Sequence, residues 1–318
     1  MSCPTISVIT PIWNERECIE ELARRLAASL ETIDQAFEVI FVDNGSDDGS
    51  VEVMRGVCAR DPRFKILRLS RNFGHQGGAT AGLDFASGAA VVLIDGDLQD
   101  PPELIPELYQ RHLEGYDVVY AVRASREKET WFKLFTAKWF YRLFRWATDV
   151  DMPADTGDFR LMDRTVVEAL KKMREQHRML RAMVAWTGFR QIGVPYERAG
   201  RFAGFTKFSL RKMVRFATDG LTSFSTVPLR LASWMGIFVS FGSFLYGLYA
   251  VVRHFGGGTV EGWTSLAVVI SFVGGAQLIC VGILGEYLGR VYDEVKQRPL
   301  YIAVDFEDGC ETSLRKGS

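Results

Sequence analysis

Two carboxylates one residue apart, in Asp95-Gly96-Asp97, follow an apolar run from Ala89 to Ile94. Such a pair can share a hard divalent cation and leave its other positions to water and substrate phosphates. A cation held there against a diphosphate would neutralise charge as that leaving group departs. Alone the pattern is unspecific, because acidic turns are common. Two other polar clusters, Trp13-Asn14-Glu15 and Asp43-Asn44-Gly45-Ser46, also follow apolar runs. Asp43 has a bland alternative, an Asx turn. His75 and His177 read as structural, since the sequence has no metal-spaced histidine pair and no nucleophile elbow.

These clusters need elements to hold them together. Ile6 to Thr10, Phe37 to Val42, Phe64 to Leu69 and Ala89 to Ile94 read as strands, and Asp117 to Ala121 as a fifth. Glu15 to Leu30, Ser50 to Arg60 and Gly78 to Ala86 read as helices between them. Strands that alternate with helices imply an α/β fold with a parallel sheet covered on both faces. Ligands of such sheets bind outside the carboxyl ends of the strands. The three polar clusters therefore converge on one rim.

The bulk numbers set the frame. Charged residues are 24% and hydrophobic ones 47%, globular values without a sign of disorder. The net charge of −1 gives no overall field for nucleic acid, so anion binding must come from local clusters. The five cysteines are widely spaced with no C-x-x-C pair, which indicates neither a disulfide framework nor a zinc site. Met1 to Pro11 lacks a basic stretch followed by an apolar one, so no cleaved signal peptide is expected.

Two uncharged runs, Leu231 to Val252 and Thr264 to Gly285, are each 22 residues long. About 20 apolar residues span a bilayer core. Arg211, Lys212, Arg215 and Arg230 precede them and Arg290, Lys296 and Arg298 follow, whereas the loop between has one Arg and one Glu. By the positive-inside rule both flanks lie in the cytoplasm. The expected organisation is a catalytic domain over 1–205, an amphipathic juxtamembrane helix over 206–230, two membrane helices over 231–288 and a cytoplasmic tail over 289–318. Trp131 to Trp146 and Thr206 to Ala217 mix aromatics with Lys and Arg, as helices at an anionic membrane surface do. The aromatic helices leave packing between subunits of a homo-oligomer open.

The order of motifs carries more. Pro11-Ile12-Trp13-Asn14-Glu15 is followed by Val42 to Ser50, then Arg71-Asn72-Phe73-Gly74-His75, then Asp95 to Glu103 (DGDLQDPPE). With these the sequence resembles glycosyltransferase family 2, and within it the polyprenyl-phosphate glycosyltransferases, which include dolichyl-phosphate mannose synthase and the bacterial GtrB-type glucosyl enzymes. The resemblance covers nearly the whole chain, to the closing Arg298-Pro299-Leu300-Tyr301-Ile302. It implies a GT-A type, Rossmann-like nucleotide-sugar domain with a mostly parallel sheet. It implies inverting transfer of one sugar, expected to be glucose from UDP-glucose, to a polyprenyl phosphate such as undecaprenyl phosphate, with Mg²⁺ or Mn²⁺; a guanine nucleotide as donor and mannose, galactose or an aminosugar as the sugar stay open.

The resemblance also assigns roles. Pro11, Trp13 and Glu15 match the segment around the base and ribose, and Asp43 the acid that meets the base. The family often has two acids there, where this chain has Asp43-Asn44. Asp95, Asp97 and Gln99 match the metal and diphosphate site. Asp158, in Asp155-Thr156-Gly157-Asp158-Phe159-Arg160, matches an acceptor-side motif. A phosphate monoester is already an anion at neutral pH, so Asp158 is expected to position sugar or acceptor rather than abstract a proton. Its alternative is a helix cap before Leu161. Arg123 and Arg126 match acceptor-phosphate arginines, with Lys133, Thr136 and Lys138 as lesser candidates. Arg198, Arg201 and Lys207 match a glycine-bearing basic loop that would close over the diphosphate. Two other readings fit the sequence less well. A processive polysaccharide synthase would need a Q-x-x-R-W motif, and Gln176-His177-Arg178-Met179-Leu180 lacks the Arg-Trp pair. A non-catalytic membrane scaffold would not need Asp95 and Asp97.

Overall fold

The computed structural model describes residues 4–123, 156–197, 225–256, 262–308 and 311–312. The chain divides into two compact units. The first contains Met1–Arg145, Val150–Ser209 and Pro299–Ser318.

At its centre β1 (Ile6–Ile12), β2 (Phe37–Asp43), β3 (Phe64–Leu69) and β4 (Ala90–Leu93) run parallel in the order β4-β1-β2-β3. β2 is buried at every position, as a strand covered on both faces must be. Helix α1 (Ile19–Glu31) buries Ile19, Leu22, Leu26 and Leu30, one stripe at helical spacing. Helix α2 (Ser50–Arg60) joins β2 to β3. Helix α3 (Gly74–Phe85) packs hard on β1 and β2. A Cβ on Gly82 would stand 2.1 Å from Ile9 Cγ2, so only glycine permits that approach.

β5 (Val118–Arg123), β6 (Thr156–Asp163) and β7 (Gln191–Tyr196) extend the sheet beyond β4. β6 is antiparallel to both β4 and β5, and β7 is parallel to β5. The reversal of β6 puts its first residues at the rim where β4 ends. A 3-10 turn (Pro102–Leu104) and α4 (Ile105–Leu113) lead from β4 to β5, and α5 (Arg164–Lys172) and α6 (Leu180–Trp186) from β6 to β7.

Several elements differ from the sequence expectation. α1 starts at Ile19 rather than Glu15, because residues 13–16 form a turn stitched to the loop after β2. α3 starts four residues early, at Gly74. Asp158 is no helix cap: it lies inside β6, and Asp163 caps α5 by accepting from Thr165 N at 2.8 Å.

The tail contributes to the sheet. β8 (Ala303–Asp308) pairs antiparallel with β3, and β9 (Glu311–Thr312) pairs with β8. Arg55 to Glu307 (2.7 Å) and Lys65 to Asp308 (3.1 Å) fasten it, and the Phe306 ring packs tilted against Phe85 at 5.0 Å between centroids.

The second unit holds α7 (Val227–Phe255, 29 residues) and α8 (Trp263–Val295, 33 residues). At 1.5 Å per residue they are about 43 and about 50 Å long, ample for a hydrocarbon core of about 30 Å. Both run past the bounds read from the sequence. The stretches Val227–Tyr249 and Val268–Val295 are long and apolar enough to cross a membrane. Trp234, Phe238, Phe244 and Leu278 point outward rather than into a core. The helices meet through Cys280 Sγ to Ala232 O at 3.4 Å and Tyr287 Oη to Ser225 O at 2.6 Å.

Candidate active site

The carboxyl ends of β1, β2 and β4 deliver Trp13-Asn14-Glu15, Asp43 and Asp95 to one rim. The β4–β6 register pairs Leu93 with Arg160, so two steps further Asp95 stands opposite Asp158. Both carboxylates meet His75, at the start of α3. Its Nε2 is 3.0 Å from Asp158 Oδ2 and 3.5 Å from Asp95 Oδ1.

Asp158 is buried and strongly held. Arg181 Nε donates to Oδ1 at 3.2 Å and Gln76 Nε2 to Oδ2 at 3.4 Å. Gln76 is itself fixed, accepting from Leu180 N at 2.8 Å. Burial opposes charge on Asp158, yet Arg181, His75 and Arg160 outweigh it and keep the carboxyl well below the usual range. Arg160, buried beneath, is pushed down to about 10 by desolvation.

Asp95 has the opposite environment. Burial lifts its carboxyl to about 6; His75 opposes the rise, and Asp158, Asp100 and Asp97 add to it. His75 is raised to about 9, because Asp95 and Asp158 overcome its own desolvation. Asp95 Oδ1 is buried and accepts no hydrogen bond. A buried carboxylate oxygen without a donor, among further carboxylates, suits a divalent cation. No trio of His, Cys, Asp or Glu among the described residues is arranged to hold a metal by itself. Two carboxylates with substrate phosphates completing the shell are the usual pattern for Mg²⁺. Asp97 Oδ1 accepts from Gln99 N at 3.2 Å, which folds the loop back on itself. Gly96 lies where a Cβ would be 3.2 Å from Pro11 O, tying this loop to β1.

The nucleotide-side residues share the same rim. Asn14 N donates to Ser46 Oγ at 3.1 Å, its Nδ2 donates to Asp47 Oδ1 at 2.7 Å, and Asp47 N donates back to Asn14 Oδ1 at 3.0 Å. Asp43 Oδ1 accepts from Ser46 N at 3.0 Å, three residues on and so one beyond the reach of an Asx turn. Gly45 has φ +72°, and a Cβ there would sit 2.7 Å from the Arg71 carbonyl carbon. Trp13 stays about two-fifths exposed over the rim. Arg123 ends β5 on the same rim; Arg126, Lys133, Thr136, Lys138, Arg198, Arg201 and Lys207 lie outside the described residues.

Sequence reasoning missed the second layer. His75 reads as structural in the sequence, and in the structure it bridges the two acidic arms. Asn44 looked like a departure from a pair of acids. Its amide instead donates to Gly74 O at 3.0 Å and Asn72 Oδ1 at 3.3 Å and accepts from Phe73 N at 2.9 Å. It clamps the loop that carries His75. Arg181 and Gln76 gave no local signal.

A parallel α/β sheet reversed at β6, with an acidic pair at its carboxyl rim, is the architecture of a GT-A glycosyltransferase. The chain belongs to glycosyl transferase family 2, whose family model matches residues 7–171. The uncharacterized glycosyltransferase YkcC of Bacillus subtilis (strain 168) is 48% identical over 297 residues, 93% of this chain and 92% of that protein. The bactoprenol glucosyl transferase of Shigella phage SfV is 41% identical over 298 residues, 93% of this chain and 97% of that protein. Among solved structures, the mannosyltransferase PcManGT of Pyrobaculum calidifontis covers 91% of this chain and 88% of its own, at 16% identity and TM-score 0.46.

Proposed function

We propose that this glycosyltransferase moves one glucose from UDP-glucose to a polyprenyl phosphate such as undecaprenyl phosphate, at the cytoplasmic face of a membrane that it crosses twice. The site observation that carries the chemistry is the opposition of Asp95 and Asp158 across β4 and β6, bridged by His75. The sugar and lipid rest on the similarity to the bactoprenol glucosyl transferases. The bilayer rests on α7 and α8, whose outward apolar surface is larger than soluble monomers leave exposed. Basic residues on both flanks support the cytoplasmic orientation.

In this reading a lipid phosphate oxygen attacks the anomeric carbon while the bond to the nucleoside diphosphate oxygen breaks, and the configuration inverts. Asp95, Asp97 and Gln99 would hold Mg²⁺ or Mn²⁺ with the diphosphate, and the bound ion supplies charge neutralisation for the leaving group. Pro11, Trp13, Glu15 and Asp43 receive the nucleoside. Asp158 is a poor proton acceptor, because its ionised form is so well held. It therefore positions sugar or acceptor. Arg123, with Arg126, takes the acceptor phosphate, and Arg198, Arg201 and Lys207 cover the diphosphate.

The test is donor-dependent release of nucleoside diphosphate by the purified full chain, with and without undecaprenyl phosphate. UDP-glucose should give release that requires the lipid. Lipid-dependent release from GDP-mannose alone would move the donor assignment, and release unaffected by lipid would remove the acceptor assignment.

A further inference from the structure

We propose that Asp100 and Tyr196 are positioning residues for transfer: a buried carboxylate–phenol pair that ties the metal-binding loop to the end of β7 and fixes Arg123 against the acceptor. The inference rests on the reading of Arg123 as the acceptor-phosphate arginine.

Tyr196 closes β7 and lies opposite Arg123, the last residue of β5. Its hydroxyl donates a hydrogen bond to Asp100 Oδ1, and the charge of Arg123, its register partner on β5, acts on the same phenol. Asp100 and Tyr196 are both buried. The Tyr196 ring is also held edge-on by Phe159, at 6.3 Å between centroids. Gly157 lies between the parts: a Cβ there would be 3.5 Å from Arg123 Nη2 and 4.0 Å from Asp100 Oδ2. Three strand ends and the loop after β4 thus meet at one buried polar cluster.

Both arms that the cluster joins need fixing. The loop after β4 holds Leu98 at φ +57°, a conformation that a branched side chain keeps only when its surroundings impose it. Asp100, two residues on, is a buried polar group that anchors the loop. On the other arm, the β5–β6 register shifts between Tyr120 and Val122, which re-aims the strand end that carries Arg123. Stability does not require a polar pair here, because replacing both partners by apolar groups of the same shape can be nearly neutral. What the pair adds is a fixed separation between the diphosphate end and the phosphate-binding arginine. In-line transfer is sensitive to that separation, since a misplacement of about 1 Å can lower the rate about a hundredfold.

The experiment uses the full chain in detergent with undecaprenyl phosphate. It compares wild type, Tyr196→Phe, Arg123→Ala and the double variant. Tyr196→Phe should raise KM for the lipid phosphate about tenfold, the factor for one hydrogen bond of ordinary net strength. The Kd for UDP with Mn²⁺ should stay within about twofold, an outcome that general unfolding would not give. With Arg123→Ala already present, Tyr196→Phe should add less than about twofold, because the two act as one unit. A lipid KM that moves with Arg123→Ala but not with Tyr196→Phe, or fully multiplicative effects, overturns the proposal and leaves the Arg123 reading standing. A lipid KM unmoved by Arg123→Ala overturns the Arg123 reading and the proposal with it. Should Tyr196→Phe fail to fold, Asp100→Asn keeps an acceptor for the phenol, and the same comparison with Arg123→Ala decides.

Discussion

Asn44→Asp is nearly isosteric and restores the pair of acids common in this family, yet it should be harmful. Asn44 is 4% exposed and makes three hydrogen bonds to the loop before α3. Aspartate keeps the bond from Phe73 N but loses both donors. It also sets a carboxylate oxygen about where Nδ2 now stands, 3.0 Å from Gly74 O. Two lost bonds at about 1 kcal/mol each, with a buried charge facing a carbonyl, give about 2–4 kcal/mol of destabilisation. For a domain of about 200 residues that is a fall in Tm of about 4–16 °C at pH 8. The sign with pH follows from the protonated form, which can donate to Gly74 O. The folded pKa of this carboxyl is therefore raised, and its burden grows as pH rises through that value and shrinks towards pH 5. Differential scanning fluorimetry at pH 5 and pH 8 reads both effects. An Asn44→Asp protein that melts within about 1 °C of wild type at pH 8 would refute the clamp.

Other substitutions probe the same frame. His75→Gln in EDTA should lose the alkaline limb of stability: the raised His75 contributes fully below its unfolded pKa and loses its contribution as pH rises through about 9, a pH–Tm curve that the variant should flatten. Gly82→Ala forces a methyl against Ile9 and should cost about 1–3 kcal/mol by chemical denaturation, whereas Gly56→Ala, in open space inside α2, should stabilise by about 0.5–1 kcal/mol. Removal of residues 299–318 strips β8 from β3 and leaves an open strand edge, so the truncated chain should aggregate on size-exclusion chromatography where the full chain does not.

What was legible in the sequence followed from local pattern. Phe37 to Val42 (FEVIFV) is apolar at every position but Glu38 and lies between helices, a pattern that reads as a buried parallel strand. The acids that close these runs are placed at the carboxyl rim by topology alone. What escaped depends on pairings that no local pattern encodes. His75 acts on Asp158, 83 residues away, only because β6 runs antiparallel to β4. Asn44 needs an amide because of carbonyls that arrive from beyond β3. The tail strand was missed because Ala303 to Asp308 (AVDFED) carries three acids in six residues, a weak strand signal. Its partner, β3, lies more than two hundred residues earlier.

One transfer measurement tests the role of the acidic pair most directly. Purified full-length protein is given radiolabelled UDP-glucose, undecaprenyl phosphate and Mn²⁺, beside an EDTA sample and Asp97→Ala, and label is counted in the extracted lipid. Label in the lipid fraction only with wild type and metal is the predicted result. Equal labelling by Asp97→Ala, or in EDTA, would contradict the role given to the acidic pair.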